Sequence, residues 1–342
     1  MESSQTISLE NQNTYAEKGI SGSTIKIIAI VAMLIDHTAA VILARILMYR
    51  GYGIASMNSD MMERWMSQGT NGILLIGYFI MRLIGRFGFP IFCFLLVEGF
   101  VHTRSRKKYA LRLFLFCLIS EIPFDLALTS KWYYPSYQNV FFTLFIGFLA
   151  MCGYDYVQKH TLPKWLSTLL SAAGLLLSSF YPAMVLTNLS YNTVFAEFHD
   201  VLASPYLLLA ILWALVLVIL LLCLRPYHTK HGHEQTQKLC ICMAVLFAAM
   251  LCADLLQTDY SGMGVLTISL MYAFRYDRIK SMLAGCITLT VMSLMEATAF
   301  LMLIPISKYN GKRGLNIKYF FYAFYPVHLA LLFLICKLMG VA

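Results

Sequence analysis

The sequence predicts an all-α protein: a polytopic transmembrane helical bundle with about ten spans plus one short re-entrant or interfacial helix. Three observations predict it. Hydrophobic residues make up 59% of the chain and charged residues 13%, with a mean hydropathy of +0.69, whereas soluble domains are roughly one quarter charged. The apolar residues fall into runs of about 17 to 24, the length that crosses a hydrocarbon core as a helix. The basic residues collect in alternate loops, as the positive-inside rule requires.

The runs lie near 24–47, 87–103, 108–128, 139–157, 164–181, 205–224, 238–256, 262–275, 283–305 and 318–340. Residues 73–84 form a shorter apolar stretch ending in Arg82 and Arg86, which reads as the re-entrant or interfacial helix. Residues 1–22 are polar, rich in Ser, Asn and Gln, and read as a disordered cytoplasmic N-terminus without the apolar region of a signal peptide. Residues 23–342 read as a single transmembrane domain, since neither a solenoid repeat nor a long linker divides them. The nine cysteines stand singly, without a CxxC pair or ligand spacing, and read as small core residues rather than disulfides or metal ligands. His228 to His233 resembles a metal-binding tract and reads instead as a mobile inner connector. No metal is expected.

With the N-terminus in the cytoplasm, Arg104 to Lys108, Lys159 with Lys164, Arg225 to Lys238, and Arg275 to Lys280 fall on the inner face of the cell membrane. Residues 129–138, 181–204 and 257–261 hold one lysine among them and face outward. The formal charge of +9 therefore marks membrane orientation and not nucleic-acid binding. One loop breaks the alternation, because Lys308 to Gly314 carries three cations where an outer loop is expected. Either a span is miscounted or that loop meets an anion, for which the Asn310-Gly311 turn and the following Lys312 and Arg313 are suited.

Ionisable residues within the spans are costly, about 2.5 to 3.5 kcal/mol each on insertion scales, so they are candidates for a functional cavity. Asp36, Glu98, Glu121, Asp125, Asp254 and Glu296 qualify. Glu121 and Asp125 share a helix face across Pro123, and share a proton unless Arg82, Arg86 or Arg112 intervenes. Glu98 and His102 read as the end of a helix. His328, in the Tyr325-Pro-Val-His break, reads as a histidine bonded to irregular backbone. Lys26 and His37 are eleven positions apart, roughly 16 Å along a helix with about 20° of rotation between them. A cation at the membrane surface in line with a buried imidazole suits a ligand with an anionic head and a long reactive arm, the shape of coenzyme A. The neutral imidazole is a candidate general base. Asp36 cannot orient it from the adjacent position, so Glu98 or Glu121 from another span is the expected partner.

The segments Ile25 to His37, Gly85 to Phe92, Leu96 to Arg104, Leu118 to Asp125, Gln138 to Thr143, Tyr309 to Gly314 and Tyr319 to His328 resemble the TraX family of conjugal-transfer membrane proteins. The best-known member of that family N-acetylates a pilin subunit, and the family looks like a branch of the transmembrane acyltransferases that use acetyl-CoA. A related acyltransferase group has a basic residue and a histidine in its first span at the spacing of Lys26 and His37. The resemblance implies an acetyl-CoA-dependent acyltransferase acting on an amine or hydroxyl acceptor, a pilin-like N-terminus or a cell-envelope polymer. His37 would be the base, with Asp36, Glu98, Glu121 and Asp125 as its acidic surroundings. Lys26, Arg104, Arg106, Lys107, Lys108, Lys312 and Arg313 would hold the CoA phosphates, with Arg86 and Asn139 as guesses for the oxyanion donors. The competing expectations are a proton-coupled secondary transporter, against which the absence of an inverted repeat speaks, and a non-catalytic membrane subunit.

Overall fold

The computed structural model describes residues 19–53, 59–193, 205–315 and 318–341. The regular structure of the described residues is helical, and their only β features are isolated bridges. Among the described residues, six helical runs are long and apolar enough to cross a membrane, and the expected ten are not all seen as separate crossings. The chain divides into two compact units, residues 1–148 with 253–342, and residues 149–252. Of the polar N-terminus, residues 1–18 lie outside the described residues.

In the first unit, α1 (Gly22–His37) passes through a π-helical segment (Thr38–Leu43) into α2 (Ala44–Tyr49), together one apolar run of 28 residues. Ser21 caps α1 by accepting the Thr24 N–H at 3.3 Å, which satisfies one of the orphan donors at a helix start. The π segment begins directly after His37, and such bulges recur at functional sites.

After α3 (Ser59–Met66), helices α4 (Gly69–Gly85) and α5 (Gly88–His102) form one broken run. α4 packs in turn against α1, the π segment and α2, and α5 packs against α1. Residues 73–84 are therefore not a separate interfacial helix. They belong to one interrupted helix antiparallel to the first, broken at Arg86–Phe87 beside Asp36. Gly85 sits against the Asp36 side chain with no room for a Cβ, which is what lets the break approach α1 so closely.

α6 (Arg106–Thr129) is roughly 36 Å long, and Arg45 of α2 donates to its C-terminal end at Leu126 O (3.1 Å) and Ser130 Oγ (2.9 Å). α7 (Val140–Lys159) begins in the first unit. The loop before it pairs with the 257–261 loop, Gln138 N–H to Gln257 O at 3.0 Å and Asp259 N–H to Gln138 O at 2.9 Å. These two loops, both expected to face outward, thus share one end of the unit. α10 (Ser261–Ala273) and α11 (Arg278–Met292) pack together against α5. Asp277 caps α11, and the Lys280 N–H and ammonium hold its carboxyl below the usual range. α13 (Lys318–Leu338) packs along α6 and against α1.

Residues 283–305 do not form one crossing. α11 ends at Met292, a 3₁₀ segment (Leu294–Met302) and α12 (Leu303–Ser307) return along it, and Arg278 donates to Tyr309 O at 3.1 Å. The segment leaves and re-enters at the same end. The chain then pairs with the start of α1: Ile20 N–H to Lys308 O at 2.8 Å, Gly22 N–H to Lys312 O at 2.8 Å and Ser23 N–H to Arg313 O at 3.0 Å. The exceptional basic loop accordingly lies beside the N-terminal end of α1, and the apparent violation of the charge rule came from counting a returning segment as a span. Residues 19–22, expected to be disordered, are held by the same pairing.

In the second unit, α8 runs Lys164–Thr193 with Pro182 inside it, so the first part of the expected outer segment 181–204 is helix and residues 194–204 lie outside the described residues. α9 (Pro205–Leu255) takes in the expected loop 225–238, interrupted by the non-helical Gly232 (φ 80°). The His228 to His233 connector is therefore mostly helical, with its break at the one residue without a Cβ.

Substituted-cysteine labelling in sealed vesicles checks this arrangement, after replacement of the exposed Cys223 and Cys252 by serine. Lys107→Cys and Lys312→Cys are expected to react with an impermeant thiol reagent from the same side. Lys131→Cys, beyond the other end of α6, is expected to react only from the opposite side.

Candidate functional site

The face of α1 that carries Lys26, Met33 and His37 looks toward the face of α13 that carries Phe321, Tyr322, Tyr325 and His328. Positions seven and eleven apart, or four and seven apart, fall on one stripe of a helix, so both rows are dictated by sequence spacing. Between them and α5, α6 and α7 lies a cavity of about 580 Å³, within the usual range for ligand sites. Its lining includes Lys26, Met33, Glu98, His102, Arg104, Arg112, Arg313, Tyr322 and Tyr325. Lys26 Nζ stands 5.4 Å from the Phe321 ring centroid. The cavity is thus cationic where the start of α1, the 104 turn and the 308–315 loop converge, and aromatic at Phe141 and Tyr325.

Beyond Tyr325 stand two histidines. His37 Nδ1 lies 2.6 Å from His328 Nε2, with the ring planes 6° apart. His328 Nδ1 lies 2.7 Å from Phe324 O. A carbonyl only accepts, so in the neutral pair the proton on His328 is at Nδ1, its Nε2 is an acceptor, and His37 Nδ1 donates to it. His37 is left with an unprotonated Nε2, for which no protein partner is found among the described residues. The expected orienting carboxylate is therefore a histidine: Glu98 lines the cavity and Glu121 faces Asn139, and neither reaches His37. The backbone bond expected of His328 is present; its contact with His37 was not foreseen. The visible signal was that His328 extends the Phe321, Tyr322, Tyr325 stripe. His37 is half-buried and does not itself line the cavity, whereas Tyr325 does, its ring centroid 5.9 Å from that of His37.

On the other side of α1, the helix break brings together two ion pairs. Arg82 Nη1 meets Asp36 Oδ2 at 2.6 Å, and Arg86 Nη1 meets Glu296 Oε1 at 3.0 Å. Asp36 is thus held by Arg82 and turned away from an orienting role. Arg82 and Arg86 do not neutralise the Glu121 and Asp125 pair; Asp125 Oδ2 instead accepts the Tyr134 N–H at 2.7 Å, and Glu121 accepts from Asn139 Nδ2. Asn139 also donates to Cys117 O at 2.8 Å and caps α7 through Phe141 N–H at 3.0 Å. Of the two expected oxyanion donors, Asn139 is spent on these bonds, and Arg86 is tied to Glu296 through Nη1 while its Nε has no hydrogen-bond partner among the described residues. Tyr137 donates to Asp259 Oδ1 at 2.9 Å, and Asp254 Oδ1 accepts the Gly262 N–H at 2.7 Å.

Of the basic residues, Arg104 and Arg313 line the cavity with Lys26. Arg106 lies over the Phe100 ring at 4.2 Å, while Lys107, Lys108 and Lys312 are exposed outside the lining. His102 Nδ1 donates to Glu98 O at 2.9 Å within the last turn of α5, so these two both end a helix and face the cavity.

These features define a helical membrane protein with a cation-mouthed cavity leading toward a hydrogen-bonded histidine pair. The chain belongs to the TraX family: the model described as TraX protein matches residues 21–221 and 185–336. It is also similar to the probable fimbrial assembly protein FimC, serogroup H1, of Dichelobacter nodosus, 27% identical over 321 residues, 91% of this chain and 94% of that protein. No solved structure matches.

Removing one partner of a buried ion pair leaves an uncompensated charge, a loss of about 3 to 5 kcal/mol. Glu296→Ala is expected to lower stability by that order in thermal unfolding of the detergent-solubilised protein. The double replacement Arg86→Met with Glu296→Leu is expected to recover most of it.

Proposed function

We propose that the protein is a membrane-embedded acyltransferase that moves an acetyl group from acetyl-CoA to an amine or hydroxyl acceptor. The single observation that carries this reading is the alignment of a cationic cavity with a histidine whose Nε2 is left unprotonated and unpaired by its neighbours. In this reading the N-terminal end of α1 faces the cytoplasm, where acetyl-CoA is made. Lys26, Arg104 and Arg313 meet the CoA phosphates at the mouth through charge-assisted hydrogen bonds. Arg106, Lys107, Lys108 and Lys312 stand around that mouth and attract the anion over longer range without contact. The pantetheine arm extends between α1 and α13 and brings the thioester to Met33 and Tyr325, one side chain from His37.

His37 Nε2 then takes a proton from the acceptor nucleophile as it attacks the thioester carbonyl. The C–S bond breaks on collapse, and the imidazolium returns the proton to the CoA thiolate. His328 accepts the His37 Nδ1–H throughout and fixes its ring and tautomer, and the Phe324 carbonyl fixes His328 in turn. Asp36, Glu121 and Asp125 shape the surrounding polar lining without touching the reacting atoms, and Glu98 borders the CoA arm. The fimbrial relative favours the amine of a fimbrial or pilin-type subunit as acceptor, ahead of an envelope polymer.

Coenzyme A is expected to raise the melting temperature of the wild-type protein, since a ligand that binds only the folded state stabilises it. Lys26→Ala and Arg313→Ala are expected to weaken CoA affinity by roughly 10- to 100-fold each. His37→Ala is expected to leave that affinity intact while acetyl transfer to a pilin-type amino-terminal peptide falls by roughly 100- to 10,000-fold. Transfer by His37→Ala at the wild-type rate would refute the mechanism.

A further inference from the structure

Proton transfer by His37 leaves half of the chemistry unassigned. As the acceptor attacks, the thioester carbonyl oxygen becomes an anion, and in a site shielded from water it needs a preformed hydrogen-bond donor. Most polar hydrogens around the histidine pair are engaged: those of Asn139 with Cys117 and Glu121, Arg82 with Asp36, Arg86 with Glu296, and Tyr137 with Asp259. One that lines the cavity is not. The hydroxyl of Tyr325 has no hydrogen-bond partner among the described residues, although the residue is only 3% exposed.

An unpaired hydroxyl in such a place is unusual, because burying a polar group without a partner costs about 1 to 3 kcal/mol. Its position is also specific. Tyr325 lines the cavity, and its ring centroid is 5.9 Å from His37 and 5.7 Å from His328. The ring is fixed edge-on against Phe141, 5.1 Å between centroids. Val140, which opens α7, also lines the cavity. A negative charge formed there would therefore also meet the positive end of a helix dipole.

Resting on the acyltransferase reading, we propose that Tyr325 is a catalytic residue, the donor that stabilises the thioester oxyanion. Its O–H hydrogen-bonds the carbonyl oxygen as the acceptor bonds to the carbonyl carbon and His37 Nε2 takes the acceptor's proton. When the tetrahedral adduct collapses, the C–S bond breaks, the carbonyl re-forms and the Tyr325 proton stays on its own oxygen. The proton on His37 passes to the departing thiolate.

Tyr325→Phe removes only the oxygen, and because that oxygen has no partner, the variant should be at least as stable as the wild type. The experiment measures three quantities on the full-length protein in detergent or nanodiscs: melting temperature, CoA affinity, and kcat for acetyl transfer from acetyl-CoA to an amino-terminal pilin-type peptide. The expected result is an unchanged or higher melting temperature, unchanged CoA affinity, and kcat lower by roughly 100- to 1000-fold. A kcat within about threefold of wild type, with His37→Ala inactive, would overturn the oxyanion assignment and leave the acyltransferase reading standing. A clear loss of melting temperature would show that the hydroxyl has a structural partner and would equally overturn it. No acetyl transfer by the wild type would overturn both.

Discussion

The hydrogen bond between His37 and His328 is the contact on which the rest of the site depends. It joins the first and last described helices of the chain at the level where the first helix turns π-helical. Its direction is decided at neither ring, but at the Phe324 carbonyl, which can only accept. A backbone oxygen in one helix thereby decides which nitrogen of a side chain in another helix is basic. A carboxylate in the same place would fix the tautomer equally well, but would also stabilise the imidazolium and raise the basicity of the ring. A neutral histidine orients without adding charge, and it adds no third carboxylate beside Asp36 and Glu296.

The ion pairs explain how the helix break is tolerated. Opening a helix at Arg86–Phe87 inside the bundle exposes backbone groups and brings two guanidinium groups to the depth of Asp36, which is tenable only where protein surrounds them. Asp36 and Glu296 supply the opposite charges, and the absence of a side chain at Gly85 lets Asp36 approach. The returning segment 294–302 has the same cause: it carries Glu296 to Arg86, and Thr298 Oγ1 donates to Leu83 O at 3.0 Å next to the break. The interruption in one element and the reversal in the other are two halves of one electrostatic arrangement.

Much of this was legible in the sequence, and the failures have identifiable physical sources. Apolar run length located nearly every helix, because 20-residue periodic segments leave little choice of secondary structure. It could not tell a crossing from a returning segment: residues 283–305 are apolar enough to cross and turn back for the sake of Glu296. Charge distribution contained the correction, since the Lys308 to Gly314 loop was out of place under the wrong count. Likewise the Lys26 and His37 stripe was legible because both residues lie on one helix. The His37 and His328 contact was not, because it depends on the packing of helices 291 positions apart in sequence, and a local rule about carboxylates guided the guess in its place.

Depth and charge together constrain what occupies the cavity. Lys26, Arg104 and Arg313 come from three separate parts of the chain, and the backbone pairing of residues 20–23 with 308–313 holds two of them at one rim. Three cations assembled in this way favour a ligand with several negative charges at one end. The aromatic wall of Phe141 and Tyr325 favours the reverse at the other end, a slender neutral group. A free inorganic anion would satisfy only the rim, and a lipid tail only the wall. A ligand that satisfies both is long and charged at one end, and in the proposed pose its other end reaches Tyr325, whose ring stands 5.9 Å from that of His37. The acyl donor reading follows from that polarity and not from the histidine alone, since a buried histidine pair without such a cavity would serve as well for packing or proton relay.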